Sequence, residues 1–156
     1  MSIEAVRAYF EAFGMADRIL EFDASSATVE LAAAAVGCAP CRIAKTLSFA
    51  VEGDPILIVT AGDVKIDNPK YKAQFGTKAT MLSPEDVEAR VGHRVGGVCP
   101  FGIKAGVKVY LDASLKRFDS VFPAAGSANS AIELSIDELE KYSGAAAWVD
   151  VCKPRI

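Results

Sequence analysis

Apolar and polar positions alternate along the chain with periods that change from segment to segment. Ile3, Val6, Phe10 and Phe13 recur at three- and four-residue steps, which predicts an amphipathic helix that stops at Gly14. Arg18–Phe22 reads as a short strand, with Ile19 and Leu20 beside charged neighbours. A polar turn at Asp23–Ser26 leads into an alanine-rich helix over Thr28–Val36, closed by Gly37. Pro40 opens a helical turn that aims the chain into a strand at Ala44–Val51. There Lys45, Leu47, Phe49 and Val51 share one face by the period of two, so a lysine ends a row of core residues. Glu52-Gly53-Asp54 is a hairpin turn, and Pro55–Thr60 pairs back as a largely buried strand.

In the second half, Asn68-Pro69 starts a helix that Gly76 stops. Ser83-Pro84-Glu85-Asp86 combines a cap, a first-turn proline and an acid at the third position, predicting a helix to about Val91. Gly106–Asp112 sets Val107, Val109 and Leu111 against Lys108, Tyr110 and Asp112, as in a half-buried strand. Phe118–Gly126 reads as irregular, broken by Pro123 and Gly126. Ala131–Leu134 is a further strand, and Ser135-Ile136-Asp137-Glu138 a capping box for a helix that ends at Gly144. Trp148–Val151 closes the sheet. Strands joined by both hairpins and helices indicate a mixed α/β sheet in one domain, residues 1–156, rather than a doubly wound one.

Between the Ser83 helix and the Gly106 strand lies Gly96-Gly97-Val98-Cys99-Pro100-Phe101-Gly102. Three glycines and a proline in seven positions suit neither a helix nor a central strand. They make a stiff loop whose backbone N–H and C=O groups can face a ligand directly. A side chain added at Gly97 is expected to enter ligand space and to resist positive φ. The loop lacks Walker spacing, and it follows a helix rather than preceding one, so it is neither a P-loop nor a dinucleotide fingerprint. Lys45 is the charged companion that such a loop needs, and the two are expected to meet across one pocket.

With 51% apolar residues the chain can bury a core, and a net charge of −3 excludes a surface that coats nucleic acid broadly. A local cationic rim stays open, with Arg42, Arg94 and Lys104 as its candidates. No apolar run reaches the ~20 residues of a membrane helix, and the acid-bearing N-terminus is no signal peptide, so a cytoplasmic protein is expected. Four cysteines, at 38, 41, 99 and 152, read as free thiols. Cys38-Ala39-Pro40-Cys41 looks like a redox dithiol, but a helix and its stop precede it where that motif needs a buried strand. The lone histidine, His93, reads as a surface residue or a partner of the helix C-terminal dipole, one residue past a helix stop. Asp112 and Ser114 end their strand, where polar residues cap or turn the chain.

Taken in order, Arg42–Leu47 (RIAKTL), Asp63–Asp67 (DVKID), Gly92–Gly102 (GHRVGGVCPFG), Val109–Leu115 (VYLDASL) and Ala125-Gly126 resemble the YbaK/ProX family, free-standing relatives of the prolyl-tRNA synthetase editing domain. The resemblance spans about residues 25 to 140 and implies a curved, barrel-like mixed sheet surrounded by helices. It implies hydrolysis of the ester joining a wrong amino acid to a tRNA 3′ end, with no cofactor or metal. In such a site Lys45 holds the terminal nucleotide, and Gly96, Gly97, Cys99 and Pro100 position ester and water. Thr46, Val98, Phe101, Gly102 and Asp112 line or support the pocket. Implied partners are the aminoacyl-tRNA 3′ end and an aminoacyl-tRNA synthetase, with no membrane and no DNA. Many members carry serine where this chain has Cys99, so alanine, serine, threonine or cysteine esters all stay open. A non-catalytic binding module and a thiol-redox protein are the alternative readings.

Overall fold

A computed structural model describes residues 2–155. Helix α1 (Ser2–Glu11) buries Val6 and Phe10, and strand β1 (Ile19–Glu21) follows it. Helix α2 (Val29–Val36) starts where the Thr28 hydroxyl accepts from Leu31 N and ends at Gly37. The hairpin β2 (Ile43–Val51) and β3 (Asp54–Ala61) turns at Glu52 and Gly53, and both residues take positive φ. Then come β4 (Val64–Ile66) and α3 (Asn68–Phe75), the latter capped by Asp67. A single turn, α4 (Pro84–Asp86), continues as a π-helical turn over Val87–Val91. The remainder is β5 (Lys108–Asp112), β6 (Ser120–Pro123), β7 (Ser130–Ile132), β8 (Leu134–Ser135), α5 (Ile136–Ser143), β9 (Ala147–Val149) and β10 (Cys152–Pro154).

The main sheet has six strands in the order β8-β6-β2-β3-β5-β9 and is curled. Its centre is the antiparallel β2–β3 ladder, which runs from Ala44 opposite Ala61 to Val51 opposite Asp54. Pairs β3–β5, β5–β9 and β2–β6 are parallel, while β6–β8 is antiparallel, so the sheet is mixed as expected. Two antiparallel ribbons, β1–β7 and β4–β10, lie beside it. The core lies on the central strands, where Leu57, Ile58, Val59 and Leu111 are fully buried, as are Phe10, Tyr71 and Phe101. No helix among the described residues is long and apolar enough to cross a membrane.

Several segments differ from the sequence expectation, among them Ala131–Leu134, which is split between β7, paired with β1, and β8, paired with β6. Phe118–Gly126 contains β6, because Pro123 sits at the strand's end, opposite Ala44, where its missing donor costs little. The expected strand over Trp148–Val151 joins the main sheet as β9 but stops at Val149, and a further strand beyond it, β10, pairs with β4.

Helix α5 is held by its capping box, Glu138 N donating to Ser135 Oγ at 3.1 Å and Ser135 N to Glu138 Oε1 at 2.9 Å. Arg18 also donates to both oxygens of Glu138, at 2.8 and 3.1 Å. The Arg18 guanidinium, then the Ser135 backbone, pull the Glu138 carboxyl from 4.5 to about 2. A depressed folded-state value stabilises the fold above 4.5, and that stability is lost as the pH falls toward 2. Glu138→Gln should therefore destabilise the protein at pH 6, and the gap from wild type, read by urea unfolding, should shrink steadily below pH 4.5. A gap independent of pH would contradict this.

Candidate functional site

Strand β2 has an interrupted outer edge. Its ladder with β6 ends at Ala44 opposite Pro123, and Ala124 turns instead to bridge Ala131. Farther along, the segment before α4 takes over: Ser48 O accepts from Leu82 N at 3.2 Å, and Ala50 N donates to Thr80 O at 2.9 Å. Residues 48 and 50 thus face this edge, and strand alternation turns the Thr46 N–H and C=O to it as well. Among the described residues no strand continues the ladder opposite Thr46. The Thr46 hydroxyl is buried without a partner.

A cavity of about 330 Å³ fills that gap. Consecutive residues Ala44, Lys45, Thr46, Leu47 and Ser48 all line it, as they can only where the edge itself is open. Val29 and Ala32 of α2 form one wall, Val95, Gly96 and Val98 another, and Phe122, Ala124 and Ala131 a third. Among the described residues that line it, Lys45 is the only ionisable side chain. The Ser26 hydroxyl, also on the lining, is a second buried hydroxyl without a partner. Unpaired buried hydroxyls are costly in an apolar setting and suited to a polar ligand.

Lys45 is half-buried and donates from Nζ to the Val64 carbonyl of β4. Burial, and secondarily the charge of Arg155, lower its pKa, while Asp63 and Glu30 oppose the shift. The ammonium is thus held at the boundary between the cavity wall and the β4–β10 ribbon.

Of the residues expected at the site, Lys45, Thr46, Gly96 and Val98 line this cavity, and Gly97, Cys99, Pro100, Phe101, Gly102 and Asp112 do not. Gly97 backs onto the chain: an added Cβ would lie 2.6–2.8 Å from the Ser127 backbone, and its φ is not positive. A side chain there would meet protein before any ligand, which reverses the expectation for this position. Cys99 is fully buried, 3.5 Å from His93 Nε2, and burial pushes its thiol up to about 12, so it is no nucleophile at neutral pH. Pro100 is buried beside it. Phe101 packs on Phe10 of α1 at 4.8 Å between ring centroids, and a Cβ on Gly102 would strike the Ala5 backbone at 2.9 Å. Asp112 is buried elsewhere, its oxygens accepting from Ser114 N and Val151 N, each at 2.9 Å, so it ties β5 to the C-terminal segment.

His93 is fully buried, not a surface residue. Its Nε2 donates to Phe101 O at 2.7 Å, clasping the two ends of the glycine-rich loop. Nδ1 has no partner among the described residues, so a second proton there would be buried without an acceptor. Burial accordingly lowers the His93 pKa, opposed by the Phe101 hydrogen bond.

The expected cationic rim is already occupied. Arg42 donates to Ser120 and Glu133 and lies over the Phe122 ring, Arg94 binds Glu88 at 2.7 Å, and Lys104 donates to Ala89 O at 2.6 Å. Cys38 and Cys41 are free, and burial raises the Cys38 pKa, the opposite of an activated dithiol. Among the described residues no group of three His, Cys, Asp or Glu side chains could hold a metal.

The clasp has a pH signature. A neutral buried imidazole gives its full stability above 6.5 and loses it as the pH falls, because the unfolded chain takes up the proton that the folded ring refuses. His93→Gln keeps an amide donor and removes the titration. Its cost in urea unfolding should be larger at pH 7.5 than at pH 5, and an equal cost at both would contradict the assignment.

Residues 23–142 match the aminoacyl-tRNA editing domain family. YwhH of Bacillus subtilis (strain 168) is 55% identical over 154 residues, 98% of each chain. An Enterococcus faecalis (strain ATCC 700802 / V583) protein, named as a candidate Cys-tRNA(Pro)/Cys-tRNA(Cys) deacylase, EbsC, is 31% identical over 110 residues, 69% of this chain and 67% of that one. A solved structure described as a candidate trans-editing enzyme for prolyl-tRNA synthetase superposes with a TM-score of 0.87 at 29% identity, covering 97% of both chains. With a curled mixed sheet, the ordered motifs around Lys45 and the glycine-rich loop, and this match across most of its length, the chain belongs to the aminoacyl-tRNA editing domain (YbaK/ProX) family.

Proposed function

We propose that the protein is a trans-editing hydrolase that releases a small wrong amino acid, such as alanine, cysteine, serine or threonine, from mischarged tRNA-Pro. The observation that carries this reading is the cavity at the open edge of β2, with one cation and, among the described residues, an unpartnered Thr46 hydroxyl. About 330 Å³ is at the small end of ligand sites and suits an aminoacyl group with part of its ribose. Lys45 holds the terminal nucleotide and offsets charge developing on the ester oxygen. The Thr46 carbonyl and hydroxyl accept from the substrate's α-ammonium, and the loop backbone at Gly96 and Val98 orders the attacking water.

Water adds to the ester carbonyl, and the bond to the ribose oxygen breaks. A free amino acid and a ribose hydroxyl result. With no carboxylate or imidazole among the described lining residues, the water's proton passes to the departing ribose oxygen or to solvent. An aminoacyl ester is activated enough that fixed dipoles and one cation can supply the acceleration. The names of the Enterococcus protein and of the solved trans-editing structure support proline tRNA as the carrier and a synthetase as a companion.

The test is a deacylation panel on tRNA-Pro charged with alanine, cysteine, serine, threonine and proline. Release of at least one small residue, with Pro-tRNA-Pro spared, is expected. Lys45→Ala should slow release roughly a hundredfold, the scale of losing one preorganised electrostatic contact. Lys45→Arg should rescue poorly, because a planar fork does not replace a compact ammonium in a confined pocket. No release above the buffer rate on any ester, or near-wild-type turnover by Lys45→Ala, would overturn the reading.

A further inference from the structure

The Asp63–Asp67 motif contributes no residue to the cavity lining, yet it forms one strand of an unusual surface. In the antiparallel β4–β10 ribbon, Lys65 stands directly opposite Lys153, and both side chains are exposed. Two like charges directly opposite one another disfavour the pairing they sit on. Arg155 extends the strip, exposed and anchored by its backbone N–H to Asp63 O at 3.0 Å. The acids close in sequence to these cations are committed elsewhere. Asp63 is taken by Arg117 through two contacts of 2.6 and 3.0 Å, Asp150 pairs with Lys70 at 3.1 Å, and Asp67 caps α3. Among the described residues no ion pair engages Lys65, Lys153 or Arg155, so in a chain of net charge −3 they form a cationic strip.

Its place matters as much as its sign. The Lys45 ammonium, which belongs to the cavity wall, donates to Val64 O, the residue next to Lys65. Arg155 is close enough for its charge to act on Lys45. Cation follows cation from the cavity onto the ribbon, whereas Arg42, Arg94 and Lys104 are each held by partners of their own.

We propose that the β4–β10 ribbon is a second nucleic-acid contact, on which Lys65, Lys153 and Arg155 receive backbone phosphates of the tRNA acceptor end whose terminus enters the Lys45 cavity. The inference rests on the editing reading for the identity of the RNA. Phosphates relieve the Lys65–Lys153 repulsion, and the strip sets the direction in which the acceptor stem leaves the site. Contacts of this kind carry no base information; they fix register.

The experiment measures binding, not turnover, so it is decided separately from deacylation. A fluorescent, uncharged acceptor-stem minihelix with a single-stranded 3′ end is titrated by anisotropy against wild type and Lys65→Glu/Lys153→Glu across a salt series. Both side chains are exposed, and a matched thermal melt checks that the double variant is folded; Lys65→Gln/Lys153→Gln provides a milder second pair. Wild type should show a log–log salt slope of roughly −2 to −3, and the charge-reversed pair should bind at least about tenfold more weakly with a slope shallower by about 1 to 2. Equal affinity and slope in wild type and variants would overturn the proposal, as would absence of minihelix binding by wild type. Lysine-dependent binding to phosphatidylserine vesicles without minihelix binding would assign the strip to an anionic membrane surface and overturn it too.

Discussion

The structure turns on a short interruption in hydrogen bonding along β2. A strand inside a sheet normally has both edges paired, and an unpaired backbone group in an apolar setting is costly. Here β6 leaves the edge after Ala44, and the 80–82 segment joins it only at Ser48. The intervening gap is walled by residues of α2, of the 95–98 segment and of the Ala124–Ala131 bridge. A cavity at the sheet's edge, with Thr46 at its back and Lys45 at its border, is the consequence.

Holding those walls in place is the task of residues that never touch the cavity. His93 clasps Phe101 O, Phe101 packs on Phe10, and Gly102 admits the α1 backbone. On its other side the loop rests on the Ser127 turn through Gly97. The loop is therefore clamped between α1 and the turn before β7, with Gly96 and Val98 presented to the cavity. The proposed reaction, which uses no side-chain base, would depend on such rigidity, since fixed dipoles act only if they need not reorganise during the reaction.

Much of this frame was legible in the residues. The β2–β3 hairpin follows from period-two alternation around Glu52-Gly53, and the α5 capping box from Ser135 and Glu138, because both signals are local. The meeting of Lys45 with the glycine-rich loop was legible because a loop of bare backbone calls for a charged companion, and Lys45 is a lone lysine in an apolar strand. What escaped is long-range. Pro123 reads as a breaker until its place at the end of β6 is seen, and His93 reads as a surface residue because its partner lies across a loop. Gly97 invites an argument from φ, although its constraint is the Ser127 backbone thirty residues away. Ser26 carries no local mark at all; its unpartnered hydroxyl becomes evident only when the cavity closes around it.

The central claim is that an aminoacyl ester is seated at the open edge of β2, between Thr46 and the 96–98 segment. A crystal structure with a non-hydrolysable 3′-aminoacylamino-adenosine, carrying alanine in amide linkage, tests it most directly. The account predicts the alanyl group inside the cavity, its amine on the Thr46 carbonyl or hydroxyl, and the adenosine at the Lys45 mouth. An analogue bound away from β2, or bound there with its aminoacyl end pointing to solvent, would contradict it.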